Sequence, residues 1–316
     1  MDSQLTVPPR ATFLAMLAVL SLLATSGFAN ARDISLLAMD DYGGASTATF
    51  GSNDYVVADY QELVKELGAT IANKPMAPGE TLGISGFNVS ATTTFSFIQT
   101  GSLDGTNPSG WELSSPDESA GPVALVIPSV MVRKGLPLSI ELGANAGWIA
   151  TSETGVFGGW GRWGIIEGYR QLPDLSIQIG YAGYVGNDEL EVGVMDESMT
   201  LGYTMPFGSI KGIHQASFAP YFSIGQEHIH GAPRVDLTHS GLDGRITGVT
   251  GFKTGANDCS TSCAPGEVAT VYDKSFAPLV VGGGFRLLSG EFTFTVAGTY
   301  TPKVVPTVSV GMGFTY

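Results

Sequence analysis

Val305-Pro306-Thr307-Val308-Ser309-Val310-Gly311-Met312-Gly313-Phe314-Thr315-Tyr316 ends the chain. Val308, Val310, Met312, Phe314 and Tyr316 fall on one face of a strand; Thr307, Ser309, Gly311, Gly313 and Thr315 fall on the other. One face is wholly apolar and the opposite face is small and polar. A strand with hydrocarbon on one side and a polar interior on the other needs this period of two. A strand of a soluble sandwich can alternate too, but a bare aromatic at a terminus, where chains usually fray, is uncommon there.

The bulk composition agrees with that reading. Charged residues make up 14% of 316, below the roughly 25% of an ordinary soluble domain, and the 43 glycines are roughly twice the usual share. Glycine at this density suits strands that bend tightly and lie close together. Mean hydropathy is +0.19, yet beyond the N-terminus no run approaches the ~20 apolar residues of a spanning helix. The net charge of −14 disfavours nucleic acid as a partner.

Working back from the C-terminus, the same alternation recurs. Phe292, Phe294, Val296 and Tyr300 alternate with Thr293, Thr295, Ala297 and Thr299; Leu279, Val281, Phe285 and Leu287 mark the strand before. Leu175, Ile177, Ile179 and Tyr181 alternate with Ser176, Gln178 and Gly180, and Leu138, Ile140, Leu142 and Trp148 with Ser139, Glu141 and Asn145. Met199, Leu201, Tyr203 and Met205 share a face, as do Phe87, Val89, Ala91, Phe95 and Phe97. Val123–Val132 is almost entirely apolar, so its phase stays open. Trp160, Trp163 and Tyr169 fit interfacial positions. The pattern predicts about ten strands (10–12) over residues 81–316, joined alternately by short turns and longer, acidic loops. Gln226–Asp273 is a long polar insertion holding Cys259 and Cys263, which are expected to form a small-loop disulfide in an oxidising compartment.

The N-terminal part is different. Arg10, the apolar run Phe13–Gly27 and the small-x-small Ala29-Asn30-Ala31 predict a cleaved signal peptide over 1–31. Residues 32–80 form a segment with one helix over Tyr55–Asn73, where Val56, Tyr60, Leu63, Val64, Leu67 and Ile71 share a face. Asn53 or Asp54 caps it and Asn73-Lys74-Pro75 stops it. The expected place for this helix is the periplasmic rim of the barrel, its apolar stripe covering wall residues; a plug inside the lumen is the alternative.

Gly311, two free positions, Phe314, one free position and Tyr316 resemble the terminal signal strand of bacterial outer-membrane β-barrel proteins. The resemblance covers residues 81–316 and selects no subfamily. It implies an all-β, antiparallel transmembrane barrel in a Gram-negative outer membrane, inserted by the barrel assembly machinery and surrounded by outer-membrane lipid and lipopolysaccharide. Some such barrels are enzymes. Omptin proteases pair acids with an Asp–His couple; the nearest stretch, Glu227-His228-Ile229-His230 with Asp236 and His239, lacks that spacing. Lipid hydrolases of this membrane use His-x-Ser, whereas His239 and Ser240 are adjacent and point to opposite faces. His228 and His230 alone make a weak metal pair. The acids Asp104, Glu112, Asp117 and Glu118, and Asp188, Glu189, Glu191, Asp196 and Glu197, read as solvated loop residues that could meet divalent cations at lipopolysaccharide. No catalytic residue, metal or cofactor is expected.

Glu141, Asn145, Gln178, Arg286 and Glu291 are the charged or amide residues that alternation assigns to the lumen, where Glu141 and Arg286 either form a buried ion pair that closes it or line a thin channel. The expected function is a non-enzymatic narrow pore or passage for small or apolar solutes. The alternative is a structural or surface-interaction barrel that uses the 226–273 loop. A hydrolase comes third.

Overall fold

The computed structural model describes residues 34–35, 54–98, 109–114, 124–150, 152, 154–169, 172–187, 189–207, 216–233 and 274–316. The signal segment 1–31, Cys259, Cys263, Asp236, His239, Ser240 and the acids Asp104, Asp117, Glu118 and Asp188 lie outside these residues.

Twelve strands form one sheet. They are β1 (Phe87–Phe97), β2 (Ala124–Leu136), β3 (Ile140–Trp148), β4 (Gly155–Ile166), β5 (Asp174–Val185), β6 (Leu190–Gly202), β7 (Met205–Phe207), β8 (Ala216–Pro233), β9 (Lys274–Phe276), β10 (Leu279–Ser289), β11 (Phe292–Thr301) and β12 (Val305–Thr315). β7 prolongs β6 along β8, and β9 prolongs β10 along β8. The wall therefore has ten staves, all antiparallel, each pairing with its neighbour in sequence. β12 pairs β1 from Asn88↔Thr315 to Ser96↔Thr307, which closes the barrel. Phe87 and Tyr316 exchange two backbone hydrogen bonds, of 2.9 and 2.8 Å, so the last residue seals the seam. Closure pairs each of the ten staves with a neighbour on both sides; the short extensions β7 and β9 pair with β8 alone.

Phe87 and Tyr316 meet at one end of the barrel, its proximal end. The two longest connections, 98–123 and 234–273, leave the opposite, distal end. β6 and β8 run on together to Leu190↔Pro233. The insertion expected from Gln226 onward is therefore shorter: residues 226–233 are strand, and the connection begins after Pro233. Asp196 and Glu197 are likewise strand residues of β6 and not part of a loop.

Alternation sets which side chains point outward. Leu142, Ile179, Leu201, Phe222, Leu279 and Tyr300 are exposed, and Val281, Phe294 and Val310 share their outward phase. The same phase resolves the apolar run of β2: Val130 and Val132 are exposed, whereas Leu125, Ile127, Met131 and Arg133 are buried inside. Trp163 and Tyr169 are exposed, but Trp160 is buried in the interior and not at an interface. A belt of exposed Val, Leu, Ile, Met and aromatic side chains that encircles a closed sheet would be a large aggregation liability in water. Its outward charges are few: Lys134 at the proximal turn, Glu191 near the distal end of β6, and Glu197 in the middle of that strand, opposite Ile179.

Two helices complete the described chain, α1 (Asp54–Ile71) and the single turn α2 (Gly110–Leu113). Neither is long and apolar enough to cross a membrane. Ser109 and Glu112 form a capping box on α2, so Glu112 serves the fold of the connection rather than a cation. α1 contacts β5, β6, β8, β12 and α2. It sits inside the ring of strands at the distal mouth, not on the proximal rim.

Candidate functional site

The interior has three layers, each meeting a different part of residues 61–86. The distal layer is apolar. Leu63, Val64, Leu67 and Ile71 of α1 pack with Ile98, Leu125, Ile149, Tyr184, Val192 and Ile229, which lie at or near the distal ends of the strands. Burying four such side chains contributes roughly 6–12 kcal/mol gross, before the entropy of ordering them. The helix comes close to β8 because glycines allow it. A Cβ at Gly68 would overlap Ile229, and one at Gly231 would overlap Val64. Trp111 Nε1 donates to the buried Glu66 carboxylate at 2.6 Å, tying α2 over the helix.

The middle layer is acidic. Asp196 of β6 and Glu227 of β8 are register partners, and both are buried facing inward. Two carboxylates this close need a counter-charge, and the segment supplies it. Lys74 Nζ lies 3.2 Å from Glu227 Oε1 and also donates to the Ala69 carbonyl. Asn73 Nδ2 donates to Asp196 Oδ2 at 2.7 Å. The residues that stop the helix in the sequence are thus the ones that hold it in the wall.

The proximal layer carries arginine. Arg133, Arg162 and Arg286 are all buried. Arg162 donates to the Pro78 carbonyl at 3.2 Å and to Gln178 Oε1 at 3.0 Å. Arg286 pairs with Glu80, and Thr204 Oγ1 donates to Glu80 Oε2 at 2.9 Å. Thr81 donates to Glu167 through its backbone N–H and its hydroxyl, both at 2.9 Å. The Leu82 N–H donates to Glu141 Oε2 at 3.2 Å. Lys134 Nζ donates to the carbonyls of Ser85 and Gly86, at 3.2 and 3.3 Å, where the segment turns into β1.

Of the residues that alternation assigns to the lumen, Glu141, Asn145, Gln178 and Arg286 point inward. Glu291 has the same phase but lies just before β11 begins, exposed at the turn. Glu141 and Arg286 do not pair. Glu141 Oε1 lies 3.7 Å from Arg133 and 3.8 Å from Arg162, and Arg286 is taken by Glu80. Sequence reasoning missed Arg133, Arg162, Asp196 and Glu227 as interior charges. Strand parity carried to the full length of β2, β4, β6 and β8 finds them.

Small voids remain beside the segment. One of about 40 Å³ is lined by Thr70, Lys74, Met76, Ser129, Asn145 and Trp160, among others, and has room for a few water molecules. Another of about 10 Å³ lies between Met76, Met131, Arg133 and Arg286. Met76 and Met131 border both. Thr70 Oγ1, Asn145 Oδ1 and Trp160 Nε1, which line the larger void, have no hydrogen-bond partner among the described residues.

The Glu-His-Ile-His stretch is divided between the two faces of β8. Glu227 points inward to Lys74, while His228 and His230 point outward on the same strand. His228 Nε2 lies 3.7 Å from the outward Glu197. Among the described residues no three His, Cys, Asp or Glu side chains gather as metal ligands.

No protein-family model matches the chain, and no curated protein matches it. The solved structures it resembles are bacterial outer-membrane barrels. They include the attachment invasion locus protein Ail of Yersinia pestis, with 9% identity over 74% of this chain and 99% of that one and a TM-score of 0.24. The KdgM porin is 6% identical over 72% and 98%, with a TM-score of 0.28. The translocator domain of the autotransporter NalP of Neisseria meningitidis is 12% identical over 86% and 99%, with a TM-score of 0.28.

Proposed function

We propose that this chain is an integral outer-membrane barrel of a Gram-negative bacterium, closed to solutes by its own N-terminal segment, and that it works through contacts made at its outer end. The continuous apolar belt supports the membrane setting, because lipid is the solvent such a surface fits. Barrels of this kind carry short turns on the periplasmic side and long loops outside, so the distal end is the outer one. The single observation that carries the function is the filling of the lumen by residues 61–86. Among the described residues the voids beside the segment, about 40 and 10 Å³, are of water size and do not make a bore. This favours the surface-interaction reading over solute passage. The connection after Pro233 and the 98–123 connection that carries α2 are the contact elements, and Glu191, near the distal end of β6, faces the level of lipopolysaccharide headgroups. Gly311, Phe314 and Tyr316 form the signal for the barrel assembly machinery.

Swelling of proteoliposomes in small sugars tests the reading. The purified, folded protein should give no swelling above empty vesicles with a pentose or a disaccharide. Swelling at rates that fall with solute size would restore the pore.

A further inference from the structure

The N-terminal segment enters the barrel from its outer end. α1 lies at the distal mouth, residues 72–86 descend past Asp196, Arg162 and Glu141, and β1 begins at the proximal end. Upstream of α1 the chain is still distal. The Ser35 N–H donates to the Ser114 carbonyl at 3.1 Å. Asn187 Nδ2 donates to the Ile34 carbonyl at 2.8 Å, and Ser35 Oγ lies 3.2 Å from Glu189 Oε2. Ser114 belongs to the 98–123 connection, and Asn187 and Glu189 to the β5–β6 connection, both at the distal end.

We infer that the chain crosses the membrane once more than its ten staves require: residues 61–86 make an additional crossing inside the lumen, and the N-terminus of the mature chain stands on the outer face of the cell, opposite to Tyr316. This rests on the membrane reading above. Two physical constraints exclude a return of the N-terminus to the periplasm. A second passage through the lumen finds the space beside residues 70–86 already packed, because the voids that the described residues line there are of water size. A passage outside the barrel would lay unpaired backbone against hydrocarbon, where each unsatisfied group costs several kcal/mol. Length sets no limit. Residues 72–86 reach up to ~50 Å when extended, against an apolar belt ~25 Å tall. The barrel thereby presents a segment that it holds in place from within, through Lys74–Glu227 in the middle layer and Glu80–Arg286 in the proximal one.

Single cysteines in a Cys259→Ser/Cys263→Ser background, treated on intact cells with a membrane-impermeant maleimide, test the assignment. Ser46→Cys, between Ser35 and α1, should label as fully on intact cells as on permeabilised ones. Ser289→Cys, exposed at the proximal β10–β11 turn, should label only after permeabilisation. Protection of both on intact cells overturns the inference and leaves the barrel reading standing. Labelling of Ser289→Cys on intact cells overturns the orientation, and the inference with it. Val64→Cys with Gly231→Cys checks the route. A Cβ at Gly231 lies 3.3 Å from Val64 Cβ, near disulfide geometry. Oxidation should lock this pair in the folded barrel, and a folded barrel that fails to cross-link contradicts a lumenal crossing.

Discussion

Replacing Lys74 by Met removes the one cation that the segment sets against the Asp196–Glu227 pair, and the size of the effect reports whether the lumen is dry. Lys74 Nζ and Glu227 Oε1 are 3.2 Å apart, with side chains only 6% and 5% exposed. At an effective dielectric of 20 the attraction is about 5 kcal/mol. Removing one partner of a buried pair costs about 3–5 kcal/mol, because the other charge is left without compensation. If the lumen were open and wet, the same pair would contribute only about 0–1 kcal/mol. The measurement is a double-mutant cycle with Lys74→Met, Glu227→Gln and both together, read by urea titration of protein folded into lipid vesicles. Lys74→Met alone should lower stability by about 3–5 kcal/mol. Glu227→Gln in that background should recover a good part of the loss, since it removes the orphaned charge; Asp196 keeps its hydrogen bond from Asn73. A coupling energy below about 1 kcal/mol would refute the closed lumen as described, because the pair would then be solvated.

Phe222→Arg should destabilise the barrel by ~2–4 kcal/mol in lipid vesicles, since it puts a cation into the outward belt between Leu201 and Gly283; Ser223→Thr, one residue away, faces inward and should cost less, and the reverse order would mean the phase of β8 is wrong. Deleting Phe314–Tyr316 removes the Val89↔Phe314 and Asn88↔Thr315 pairs and the reciprocal Phe87–Tyr316 bonds, so heat-modifiable migration on gels should be lost, and its persistence would contradict the seam. Trp111→Phe keeps an aromatic ring but removes the hydrogen bond to the buried Glu66 carboxylate, at a cost of about 1–3 kcal/mol in urea titration; an unchanged midpoint would show that α2 does not hold α1.

The wall was legible in the sequence because lipid on one side and packed polar groups on the other impose a period of two. Leu142 against Glu141, and Ile179 against Gln178, carry that signal without interruption. It failed where one of its two contrasts vanished. Arg133 comes after a run of β2 in which both faces are apolar, because the distal interior is apolar as well as the exterior. Arg162 sits among Trp and Gly, where neither face stands out. Asp196 was masked by the outward Glu191 and Glu197 of its own strand, and Glu227 by the histidines beside it. Glu291 had the right parity but lies in the turn just before β11 begins. The position of α1 was not legible, because an apolar stripe such as Leu63, Val64 and Leu67 suits an outer rim and an apolar mouth equally. The two are distinguished by the glycine pair Gly68 and Gly231 facing Ile229 and Val64, a relation between residues far apart in the chain.

Planar-bilayer recording of the intact chain beside a variant lacking residues 54–80 bears most directly on the central claim, that this segment closes a transmembrane barrel. The account predicts a silent baseline for the intact protein and discrete conductance steps for the variant, once both have been shown to be folded by heat-modifiable migration. Steps of similar size from both proteins would contradict it, because the lumen would then be open with the segment in place.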